Sequence, residues 1–187
     1  RYIWKEKNWE ELLNSFMNKS VVPFLGSLIL KEERGNNFSV IDGQQRLTTI
    51  TILAKAIYDC LPEKSKGLES GVRNCTQNFL FYRKNAIDSF MDAKVKVEHS
   101  KNDRADYERI LKATLQNDEA IDTDTINDTS SNILRCYKYY VELLKKKSVE
   151  TLIGLYSSIF DRERRIFVVI VLEDGDVNEQ SIFDTIN

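Results

Sequence analysis

The chain has 187 residues, 42% of them hydrophobic, which suits one globular domain with a sizeable core. Its 27 basic and 29 acidic residues leave a net charge of -2, so composition carries no general nucleic-acid field, and contact with DNA needs a local basic patch. The single histidine, His99, excludes HNH-type nuclease centres, zinc-hydrolase motifs and Ser-His triads; Cys60, Cys75 and Cys136 are odd in number and far apart, which excludes a metal spacing and points to a reducing cytoplasm.

Asn8 to Asn18 carries Trp9, Leu12, Leu13 and Phe16 at helical spacing, with Asn8 as its cap. Phe24 to Leu30 reads as a strand, Lys31 to Asn37 as a turn, and Phe38 to Ile41 as the returning strand. A long helix follows, because Leu47, Ile50, Ala54, Ile57 and Leu61 fall on one continuous face and Pro62 stops it. The β-branched run Thr48 to Ile52 argues the other way, but the periodicity outlasts it.

Pro62 to Gly71 reads as a polar loop, and Asn78 to Arg83 and Lys94 to Glu98 as short strands. Asp103 to Leu115 is a helix with Tyr107, Ile110 and Leu111 inward. Asn117 to Asn132, with five acids and no base, is a solvated loop. Ile133 to Lys147 and Val149 to Phe160 are helices. The unbroken apolar run Ile166 to Leu172 reads as a strand buried on both faces, and Glu173 to Asp176 turns the chain into a final helix ending at Asn187. The order implies one α+β domain, its core spanning about 1–61 and 162–187 with a mostly helical insertion at about 62–161. Nothing reads as a signal peptide or an apolar run of membrane length, and a chain that opens on Arg1 reads as a fragment of a longer protein.

The chemistry concentrates at Asp42-Gly43-Gln44-Gln45-Arg46, where the second strand turns into the long helix. In one reading Asp42 and Gln45 form a capping box, which is structural. In the other, the free amides and positive dipole end of the helix, the close approach that Gly43 permits and the cation of Arg46 make an anion site, most naturally for phosphate. No Walker A loop is present. Gln44 and Gln45 cannot act as bases, but an amide can orient an attacking water. Asp42 can hold Mg²⁺ directly or through water. Arg46 lies off the apolar face, so little core depends on it.

The segment VIDGQQRLTT, Val40 to Thr49, resembles the hallmark of the GmrS-like N-terminal domain family of modification-dependent restriction systems, the family of the DGQQR motif. Arg1-Tyr2-Ile3-Trp4 with Trp9 to Leu12 is similar to the family's opening segment, Phe24-Leu25-Gly26-Ser27-Leu28 to its F-L-G-S-I strand, and Ile182 to Asn187 to its I-F-E-x-L-N segment. Tyr58 to Arg164 is matched only by its helical pattern. The resemblance implies a ParB/sulfiredoxin-like fold, whose Gly-x-x-Arg turn binds nucleotide phosphates. It also implies a nucleotide-binding, NTP-hydrolysing regulatory domain of an antiphage endonuclease acting on modified phage DNA. The nuclease centre would lie in a C-terminal domain outside this chain, which alone should not cut DNA. The site carried over is catalytic Asp42, Gln44, Gln45 and Arg46; phosphate-binding Arg1, Gly43, Arg46 and Thr49; Asp42 at Mg²⁺; and Asn187 as a weaker candidate. The implied ligands are a nucleoside triphosphate and Mg²⁺. A module that senses nucleotide or DNA phosphate without turnover is the alternative.

Other features carry both a structural and a functional reading. Arg1, Lys5 and Lys7 interleave with Tyr2, Trp4 and Trp9, which suits phosphate gripping or a plain helix edge. Lys94, Lys96, His99, Lys101 and Arg104 suit a DNA-facing strip or a solvated strand face. Lys145 to Lys147 suits a helix C-terminus. Arg162, Arg164 and Arg165 stand close enough in sequence to the last strand to reach the turn. Asp122 and Asp124 lack the Gly and Glu of a calcium loop.

Overall fold

The computed structural model describes residues 1–18, 24–67, 71–85, 87–160 and 167–172. Among these residues the order is α1 (Glu6–Met17), β1 (Ser27–Glu33), β2 (Asn37–Asp42), α2 (Gln44–Cys60), α3 (Glu63–Lys66), α4 (Val72–Leu80), β3 (Phe81–Tyr82), β4 (Lys94–Val95), α5 (Lys101–Lys112), α6 (Asn132–Leu144), α7 (Val149–Phe160) and β5 (Val168–Leu172). The expected α+β class is what the chain adopts: a three-stranded mixed sheet in the order β2-β1-β5, β1 antiparallel to β2 and parallel to β5, set against a helical body. A two-stranded ribbon, β3-β4, lies apart from it.

α2 is the axis of the helical body. Every residue from Thr48 to Tyr58 is buried, so the apolar face expected on one side is instead a helix enclosed nearly all round. Trp9, Leu12, Leu13 and Phe16 of α1, Tyr107, Ile110 and Leu111 of α5, Ile133, Tyr137 and Tyr140 of α6, and Leu152 and Tyr156 of α7 share its core. The polar residues that such a position forces inside are paired. Lys55, fully buried, meets Asp59 one turn on and Thr114 Oγ1 at 3.2 Å, and Asp59 also accepts from Tyr137 at 2.6 Å. No buried side-chain nitrogen or oxygen among the described residues lacks a hydrogen-bond partner.

Several local expectations change. Asn8 is not the cap of α1: the helix begins at Glu6, and Asn8, inside its first turn, accepts from Lys5 N–H at 3.3 Å. The polar loop after Pro62 contains the short α3. The first half of Asn78 to Arg83, expected as a strand, is the end of α4, with only Phe81 and Tyr82 in β3. β5 is a strand as expected but not buried: it is a sheet edge among the described residues, with Val168, Val169, Ile170 and Val171 each at least 40% exposed. The final helix expected up to Asn187 lies outside the described residues. No helix among the described residues is long and apolar enough to cross a membrane.

Candidate functional site

β2 delivers Asp42 to the sheet edge opposite Ile29, and Gly43 then turns the chain into α2. Gly43 has φ +90°, and a Cβ there would sit 2.9 Å from Leu28 Cδ1 and 3.1 Å from Ser27 O. Both the backbone conformation and the close approach of β1 therefore demand glycine. Gly43 is also the cap residue, and no side chain caps the helix, so the first-turn amides of α2 keep their donors.

The Asp42–Gln45 capping box does not form. Asp42 Oδ2 instead accepts from Arg46 Nη2 at 3.0 Å, while Arg46 Nη1 donates to Leu25 O at 2.6 Å. Arg46 is thus half-buried and ties α2 to the chain entering β1, rather than standing free on an outer face. Gly26, with φ +90°, makes room for it: a Cβ there would overlap the guanidinium. The sequence offered a signal for this partnership, because Phe24-Leu25-Gly26 and the DGQQR turn are two of the segments that resemble one family, yet nothing in either says that they touch.

Gln45 is spent on a second tie. Its Oε1 accepts from Ile3 N–H at 2.9 Å and Trp4 N–H at 3.3 Å, and its Nε2 donates to Arg1 O at 3.1 Å. This clasp brings Arg1 beside the start of α2. Thr49 is fully buried, its hydroxyl donating to Gln45 O at 2.7 Å and meeting Tyr2 Oη at 2.7 Å, so it faces the interior and not a ligand. Tyr2 Oη also accepts from Trp9 Nε1 at 2.9 Å, and Asp103 accepts Tyr2 N–H at 2.7 Å.

Gln44 is the exposed member of the turn. Its Nε2 donates to Val40 O at 2.6 Å, which pins the amide and leaves Oε1 as the end with no partner among the described residues. It opens on a cleft of about 1370 Å³ between the β1-β2 hairpin, the first turns of α2 and the segment Lys94 to Ser100. Arg1, Gln44, Gln45 and Thr48 line the cleft, whereas Asp42, Gly43 and Arg46 do not. The five motif residues therefore divide into two groups, one facing the cleft and one bracing the turn from behind. A smaller hollow of about 230 Å³ beside Glu63, Lys66 and Arg73 lies away from the turn.

The opposite wall brings Lys94, Lys96 and His99 to the same cleft. Lys96 Nζ is held by Asn78 O at 2.5 Å. His99 Nε2 lies 3.2 Å from Thr48 Oγ1 and its ring stands 4.3 Å from that of Tyr107; burial lowers its basicity, which favours the neutral imidazole. Arg104 is paired with Glu108 on α5. Arg162, Arg164, Arg165 and Asn187 lie outside the described residues.

Asp42, expected at Mg²⁺, has Oδ2 paired with Arg46 and does not line the cleft, and no group of three or more His, Cys, Asp or Glu side chains among the described residues is placed to hold a metal ion by itself.

The architecture is that of a mixed α+β domain. The whole chain, residues 1–187, matches the family described as GmrSD restriction endonuclease, N-terminal domain, and it belongs to that family; it is a domain of a restriction system. No curated protein gives a significant match.

Proposed function

We propose that this chain is the nucleotide-binding regulatory domain of an antiphage, modification-dependent DNA endonuclease, and that a nucleoside triphosphate is bound and hydrolysed at the cleft where α2 begins. The observation that carries the reading is the uncapped start of a long buried helix, opening with Gln44 on a cleft whose charged lining, among the described residues, is Arg1, Lys94, Lys96 and Glu98. Free first-turn amides and the positive dipole end favour the terminal phosphates, and the cations add to that field. The pinned amide of Gln44 offers its oxygen to orient water, a role that needs no titration. Asp42 and Arg46 act as positioning residues that fix the turn, and Gln45 holds the segment that carries Arg1. Mg²⁺ would arrive with the triphosphate, held by phosphate oxygens and water. DNA is the substrate of the complete enzyme.

One observation favours binding without turnover. Gln45 and Arg46 both have their side chains committed to structural bonds, which leaves Gln44 as the single motif side chain offered to a water. Two measurements divide the readings. Triphosphate with Mg²⁺ at about 100 times its dissociation constant should raise stability by about 2.7 kcal/mol. Phosphate release should follow, and Gln44→Ala should abolish it while changing stability by less than about 0.5 kcal/mol. Stabilisation without release would make the domain a sensor, and no stabilisation by any of the four ribonucleoside triphosphates would remove the nucleotide reading.

A further inference from the structure

We propose that the same cleft contains a nucleobase-stacking subsite away from the α2 turn, with Phe38 and Tyr82 as its aromatic platforms and Lys94 as its cation. This deepens the reading of the turn as a phosphate site. It rests on that reading for the orientation of the ligand but not for its class.

Phe38 is 47% exposed and Tyr82 55% exposed, and both line the cleft that Gln44 opens on. A lone exposed aromatic is ordinary. Two on one cleft, each built there by a strand, form an arrangement that the fold must maintain. In the β3-β4 ribbon Phe81 pairs with Val95 and both are buried, whereas Tyr82 pairs with Lys94 and both are exposed. Directly opposite residues of an antiparallel pair are neighbours on one face. The buried pair therefore anchors the ribbon, and the outer pair presents a phenol ring beside an ammonium group. Phe38 comes from β2, in the other sheet, so the platforms belong to separate walls.

Size and charge select the ligand class. About 1370 Å³ exceeds the roughly 300–1,000 Å³ typical of a small-molecule site, so phosphates at α2 leave space for sugar and base beyond them. Among the described residues of the lining, cationic residues outnumber acidic ones, and with Lys96 held by Asn78, Lys94 and Arg1 are the cations there that can meet an anionic backbone. Aromatic platforms combined with cations are how proteins hold bases joined to phosphates without reading their edges. The base can belong to a free nucleotide or to a single strand.

The test compares base-carrying probes with a base-free one on the whole chain: the four ribonucleoside triphosphates, oligothymidylate and inorganic tripolyphosphate, titrated by calorimetry against wild type, Phe38→Ala and Tyr82→Ala. Both side chains are exposed, so unchanged melting of the variants is the folding control. The variants should weaken at least one base-carrying probe about fivefold or more and leave tripolyphosphate unchanged. Loss confined to the triphosphates identifies a free nucleotide as the source, and loss confined to oligothymidylate identifies a strand. The subsite is overturned if the variants bind every base-carrying probe as wild type does, if tripolyphosphate is lost in the same proportion, or if wild type binds no base-carrying probe. Wild type that binds oligothymidylate but not tripolyphosphate instead removes the phosphate reading of the turn and leaves the subsite standing.

Discussion

Arg46 holds its guanidinium between a carboxylate one turn back and the carbonyl of Leu25, twenty-one residues earlier. An arginine in the first turn of a helix after Asp-Gly announces a cation at the dipole's positive end, and the sequence shows that much. It cannot show that the fork is already filled by protein acceptors, because Leu25 is remote in sequence and a backbone carbonyl leaves no mark on residue identity. The same limit applies to Gln45, whose amide serves three backbone groups of the opening segment. Since Asp42 and Arg46 are each about a third exposed, removing the pair's cation should cost about 1–2 kcal/mol and not the full value of a buried charge. Gly26→Ala should strain a left-handed backbone and expel the guanidinium in one stroke. In Arg46→Ala the guanidinium is already absent, so the second cost disappears. A urea-denaturation cycle over Gly26→Ala, Arg46→Ala and the double variant should therefore show a coupling of at least about 0.5 kcal/mol. Additivity within about 0.3 kcal/mol would mean that Gly26 does not cradle Arg46.

At the scale of elements, the long helix was readable in spite of its β-branched stretch, and the structure explains why the stretch is tolerated. Thr48, Thr49 and Thr51 turn their hydroxyls back onto the carbonyls of Gln44, Gln45 and Thr48, so each polar group is satisfied within the helix before it is buried. α4 was misread because Phe79 to Tyr82 has strand-like composition, while Val72, Cys75, Thr76 and Phe79 keep a helical spacing that composition obscured. The strand character of Val168 to Leu172 was legible, but its burial was not, since an apolar run does not say whether its strand is central or an edge. That difference should be measurable. Ile29 of β1 is 1% exposed, and Ile170, its partner in the parallel register, is 40% exposed. Ile29→Ala should cost about 2–5 kcal/mol as a core truncation, and Ile170→Ala less than about 1 kcal/mol. Equal losses in chemical denaturation would mean that the outer face of β5 is covered in solution.

The whole molecule is held by buried phenols that lock the helices to one another. Tyr2 joins the opening segment to Thr49 and Trp9, Tyr107 joins α5 to Thr51, Tyr137 joins α6 to Asp59, Tyr140 joins α6 to Trp9 O, and Tyr156 joins α7 to Thr76. Burial pushes all five phenols above their ordinary value of 10.0. The unfolded chain then releases these protons first, so it binds fewer than the folded chain above pH 10, and stability must fall as pH rises through that range. The thiols act with the same sign, Cys60 raised by burial to about 11 and Cys136 raised further. Lys55 opposes them: burial lowers its ammonium, so in the window below 10.5 the unfolded chain binds the extra proton and stability rises with pH. One opposing lysine does not offset five phenols and two thiols. The protein should be stable up to about pH 9 and unfold cooperatively above about pH 10, with the tyrosinate absorbance of the five buried phenols appearing in the same step that removes the helical circular dichroism. If the absorbance instead rises smoothly around pH 10 for all the tyrosines while the helices persist, the phenols are solvated in the native state and this account of the core fails.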